Sequence, residues 1–172
     1  MRTRDRLKGS RPPKVSTSST ACSSASIAQL AAVLPRTDVV IPTIAHELIP
    51  VNAEVPFGDS PAEQARRIVE AQVQPPVEGT LSAIPAGTKV RAVYLTSRGE
   101  AYLDLSADVA RGHTGGSLDE ALAVFALVNV LTVNLPDITA VQILIDGKEV
   151  DTLAGHVDLR HPLRRALEWV RR

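Results

Sequence analysis

The sequence predicts an α+β domain: a mainly antiparallel sheet with two helices on one face, in a βαββαβ-like order, plus a terminal hairpin strand. Three observations lead there. Two apolar segments open on the same helix-start signature, Ser60-Pro61-Ala62-Glu63 and Ser117-Leu118-Asp119-Glu120. Short strand-like runs are separated by turn residues, and Ser97-Arg98-Gly99 and Asp146-Gly147 suit antiparallel hairpins. Helices gathered on one face of such a sheet bury both sets of apolar side chains economically.

The domain is expected over residues 37–172, after a basic, Ser-rich tail over residues 1–36 that is read as disordered. Arg, Ser, Thr and Pro dominate the tail as far as Ser26, so burial there cannot offset the entropy of ordering the backbone. The formal charge of the whole chain is zero, but Met1 to Lys14 holds six basic residues against Asp5, which leaves the remainder acidic by five charges. A neutral balance gives no reason to expect nucleic acid as a partner. The tail also holds the single cysteine, Cys22, so an internal disulfide and a cysteine-based metal site are excluded. Ser19-Thr20-Ala21-Cys22 places a small residue before cysteine, as lipoprotein cleavage sites do, but no apolar stretch precedes it. As written, the start shows no signal peptide, and the literal reading is a soluble product that stays in the cytoplasm.

Within the domain, Val39-Val40-Ile41 reads as an edge strand of the sheet, because Pro42 lacks the backbone donor a central strand needs. Leu48 to Val55 is a second extended piece. Ser60 as N-cap, Pro61 at the first helical position and Glu63 closing a capping box then open a helix. Ala62, Ala65, Ile68, Val69 and Gln72 form its inner stripe, Glu63–Arg67 and Arg66–Glu70 can pair on the outside, and Pro75-Pro76 stops it. Val90 to Thr96 and Glu100 to Leu105 make a hairpin. Ser117 is expected to cap a second helix, with Glu120 closing its box; that helix is apolar nearly all round to Val133 and therefore buried. Ala140 to Ile145 and Glu149 to Leu153 form the last hairpin. With only two Phe, two Tyr and one Trp, the core must be aliphatic.

Few residues suggest chemistry. His156, Asp158 and His161 look at first like metal ligands, but no third or fourth ligand with matching spacing accompanies them, so no metal is assigned. Asp104 with Ser106 reads as a polar strand exit rather than half of a carboxylate pair. His113-Thr114-Gly115-Gly116-Ser117 is glycine-rich ahead of a helix and has the form of an anion cradle, though it lacks a Gly-Lys-Ser/Thr ending. Asn129 is the unusual residue, a primary amide inside an apolar helix that needs buried partners from a strand edge or loop. No Ser, His and Asp set carries a nucleophile signature.

The ordered set Ser82-Ala83-Ile84-Pro85-Ala86-Gly87-Thr88, Tyr102-Leu103-Asp104-Leu105-Ser106, Gly115-Gly116-Ser117 with Glu120, Leu127-Val128-Asn129-Val130-Leu131-Thr132, Val141-Gln142-Ile143-Leu144-Ile145-Asp146-Gly147 and Thr152-Leu153-Ala154-Gly155-His156-Val157-Asp158-Leu159 resembles the GerMN domain of bacterial GerM-like sporulation and spore-germination proteins. The resemblance covers about Val51 to Pro162. It departs from the family at the start, where a signal or lipoprotein peptide is usual, and at Asn129-Val130-Leu131-Thr132, where the family has Asn-Thr-Leu-Thr. It implies a fold like the ring-building motif of secretion and sporulation channels, an extracytoplasmic place in the cell envelope, and no catalytic residues or cofactor. The expected function is a non-catalytic envelope interaction or assembly module, with other envelope proteins or weak self-association as partners. The alternative is a small-ligand or peptidoglycan-binding module, for which Asn129, Gly155, His156 and Asp158 are the candidate binding residues beside the loop from Arg111 to Ser117.

Overall fold

A computed structural model describes residues 36–42, 47–75, 81–113 and 116–171. The disordered-tail expectation, Cys22, and Thr114-Gly115 of the glycine-rich loop lie outside the described residues. The described residues all belong to one compact unit.

Strands β1 (Arg36–Pro42) and β2 (Leu48–Glu54) pair antiparallel in a two-stranded sheet of their own. Pro42 therefore does not mark the edge of the main sheet, as the sequence suggested, because β1 takes its nearest neighbour in the chain as partner instead. Helix α1 (Pro61–Gln72) follows, then the antiparallel strands β3 (Val90–Leu95) and β4 (Glu100–Leu105). A single-turn helix α2 (Asp108–Arg111) leads to the long helix α3 (Ser117–Asn134) and strand β5 (Ala140–Ile145). Short strands β6 (Lys148–Glu149) and β7 (Leu163–Arg164) both pair antiparallel with β5, and a 3-10 turn (Leu167–Trp169) ends the fold.

The main sheet has five strands, with β3 at one edge. Its one parallel pair is β4 with β5, Leu103 facing Ile143, so the sheet is mixed, although antiparallel pairs predominate. A parallel pair needs a long crossover, which α3 provides. The strand expected over Glu149 to Leu153 shrinks to Lys148–Glu149, since the chain leaves the ladder there to wrap α3. The turn before it behaves as expected: Asp146 (φ 50°) and Gly147 (φ 76°) are both left-handed, matching the twist of paired strands.

Leu103, Leu105, Val141 and Ile143 on the sheet meet Ile68 and Val69 of α1 and Val124, Leu127 and Leu131 of α3 in one aliphatic core. By length and composition α3 would suit a membrane span, but here it is a core helix with twelve buried residues. The described aromatic residues lie at the periphery. Phe125 stacks on Trp169 with ring centroids 5.9 Å apart, in a second cluster with Leu48 and Leu122.

Candidate functional site

The densest polar construction in the described residues surrounds α3, and it starts from a cap that does not form. The N-cap is Gly116, with no side-chain cap bond, and Ser117 is already helical. Glu120, expected to close a capping box, instead points into the protein with its side chain fully buried. Its Oε1 accepts from the backbone N–H of Leu153 (2.9 Å) and Ala154 (2.9 Å), and its Oε2 accepts from the N–H of His156 (2.8 Å). The Nδ1 of His156 lies 3.0 Å from the same oxygen. Burial works to raise the Glu120 pKa. The backbone N–H groups of Ala154, His156 and Val157 and the His156 ring work against it, and the net effect is a lowering. Glu120 is thus an ionised post around which the segment after β6 is wound.

Asn129 performs the same service nine residues later, on the other side of the helix, since nine residues at 100° each amount to about half a turn's difference in direction. Its Nδ2 donates to the carbonyl of Ala166 (2.8 Å) and its Oδ1 accepts from the N–H of Ala166 (3.0 Å). Between the posts, Gln142 on β5 donates to the carbonyl of Leu159 (2.6 Å). Residues 151–171 form a strap held to the helix and sheet by three buried polar side chains.

The candidate binding residues therefore divide. Asn129 is buried with both amide atoms engaged, whereas Gly155, His156 and Asp158 share the exposed part of the strap. Gly155 has φ 103°, a conformation glycine adopts freely, and the His156 side chain is 44% exposed. Asp158 is gripped by Arg160, Nε on Oδ1 (2.9 Å) and Nη2 on Oδ2 (2.7 Å), which holds its carboxyl well below the usual carboxylate range. Asp104 is nearly buried, and accepts from the Gly147 N–H (2.7 Å) and Arg91 Nε (3.1 Å), while Arg91 reaches on to Asp146. It ties the β5–β6 turn to β4. At the other helix half of the expected capping box forms: Ser60 accepts from the N–H of Glu63, while the Glu63 carboxylate pairs with Arg67 at 3.0 Å instead of closing the box on Ser60. Among the described residues no group of three or more His, Cys, Asp and Glu could hold a metal ion. Sequence reasoning overlooked Glu120 as a tertiary ligand and Gln142 as a strap anchor. The signal was present in both cases, as a polar residue on an otherwise buried face.

Comparison with solved structures gives the same architecture. A predicted lipoprotein from Clostridium perfringens superposes with a TM-score of 0.55 at 22% identity, over 67% of this chain and 76% of that one. The tandem GerMN domains of the sporulation protein GerM from Bacillus subtilis give 0.56 at 19% identity, over 75% of this chain and 45% of that one. The first GerMN domain of the same protein gives 0.51 at 20%, over 76% of this chain and 96% of that one. These likenesses are of fold. No curated protein sequence matches significantly. The family model for sporulation and spore germination, Germane, matches residues 37–151, about two thirds of the chain, and the chain belongs to that family.

Proposed function

We propose that this domain is a non-catalytic interaction or assembly module of the cell envelope, of the GerM-like type. The observation that carries the reading is how the buried polar groups are used. Glu120, Asn129, Gln142 and Asp104 each engage the protein's own backbone, with the His156 ring added at Glu120 and Arg91 at Asp104, so the chemistry-bearing residues serve as fasteners. Family membership and the fold shared with a predicted lipoprotein support a place in the envelope. Incubating the purified chain with peptidoglycan and its soluble fragments tests the reading: no turnover is expected. Turnover abolished by a single substitution would overthrow it.

A second reading, binding of a small ligand or peptidoglycan, is favoured by the exposed stretch Gly155-His156 on an otherwise anchored strap. Calorimetry with peptidoglycan fragments separates the two. Saturable heat that disappears in His156→Ala would favour the second.

A further inference from the structure

The interaction surface of an assembly module can be narrowed to one strand. Among the described residues only β4 pairs with β3, so the other edge of β3 has no strand partner among them. The hairpin turn fixes which backbone groups face that edge. The N–H of Thr96 donates to the carbonyl of Glu100 (2.9 Å), which makes Thr96 and Glu100 a hydrogen-bonded pair. Antiparallel ladders alternate, so Tyr94, facing Tyr102, also turns its backbone groups towards β4. Val93 and Leu95 then direct theirs outward.

The regular part of this edge is short and symmetric. The register slips between Val90 and Ala92, leaving Arg91 as an extra residue on β3, and the turn begins at Ser97. Ala92-Val93-Tyr94-Leu95-Thr96 lies between, uncharged and centred on Tyr94, whose side is 60% exposed on the face away from the core. We propose that a second copy of this chain pairs antiparallel along this edge, about a two-fold axis at Tyr94. Val93 of each copy then exchanges backbone hydrogen bonds with Leu95 of the other. The two Tyr94 rings meet at the axis, in the kind of pair where side chains approach most closely. Centring the axis elsewhere on β3 would bring the extra residue Arg91 or the Ser97 turn into the ladder. Five residues a side is small beside the 20–30 of a standard stable interface, so the pairing is weak and needs the high local concentration that membrane tethering supplies.

This inference rests on the assembly reading, and the experiment separates the two. The chain's two tyrosines, Tyr94 and Tyr102, make dityrosine photo-crosslinking with a ruthenium complex a direct probe, in a Cys22→Ser background to remove disulfides. Covalent dimer should rise with concentration towards the millimolar range, persist in Tyr102→Phe and vanish in Tyr94→Phe. Sedimentation of Tyr94→Phe should match wild type. In Tyr94→Arg, two guanidinium groups oppose each other and association should weaken about tenfold or more. Dimer that persists in Tyr94→Phe, or a strict monomer at millimolar concentration, overturns the edge pairing. Self-association unchanged by Tyr94→Arg overturns it too, while leaving the assembly reading intact; only turnover of cell-wall material removes both.

Discussion

Helices α1 and α3 begin with the same four-residue logic and end up built differently. At Ser60-Pro61-Ala62-Glu63 the serine caps as its local sequence asks, bonded to the N–H of Glu63, and Glu63 turns to the outer face, which carries the Glu63–Arg67 and Arg66–Glu70 pairs. Ser117-Leu118-Asp119-Glu120 departs from its local code. Its serine is inside the helix, its cap is Gly116, and its glutamate has left the helix end to bind a segment more than thirty residues away. The difference lies in exposure. An exposed helix start has only its own backbone and water to satisfy, so a local capping code suffices. At a buried helix, a carboxylate within reach of several unpaired N–H groups finds a stronger tertiary role.

Removing the tertiary role should have the largest effect. Glu120→Ala leaves the N–H groups of Leu153, Ala154 and His156 unpaired around a void and should cost about 3–5 kcal/mol in urea unfolding. A loss near 1 kcal/mol, typical of a cap, would erase the contrast between the helices. Asn129→Ala should come next, at about 1–3 kcal/mol, because both bonds to Ala166 are lost. A wild-type melting curve would show that the end of the strap is not held there.

The pH dependence sharpens the same point. The folded Glu120 carboxyl titrates below its unfolded value of about 4.3, so the ionised form stabilises the fold above that pH. The contribution is lost as pH falls through the lowered folded pKa. Stability of the wild type should therefore drop, as pH falls below the unfolded value of about 4.3, more steeply than that of Glu120→Gln, which has no proton to take up. Parallel acid limbs would assign the effect to other carboxylates.

The smallest effects belong to the serines. Ser60→Ala should cost about 1 kcal/mol, as for an ordinary N-cap. Ser117→Ala should change stability by less than about 0.5 kcal/mol, because it makes no cap bond. Equal losses in the two variants would restore the symmetric capping reading that the sequence suggests.

Sequence by itself determined the elements whose causes are local. Ser60 and Pro61 set the start of α1, the turns at Gly99 and Asp146-Gly147 set two hairpins, and the apolar run from Ala121 to Val128 set a buried helix. The need of Asn129 for buried partners was equally legible, because an amide among aliphatic residues must bond to something. Tertiary structure decided the rest. The parallel pairing of β4 with β5, the separate β1–β2 sheet and the partners of Glu120, Asn129 and Gln142 all depend on which distant backbone groups would otherwise stay unpaired. Local spacing carries no record of that, since a hydrogen bond across thirty residues is chosen only after the core has brought its ends together.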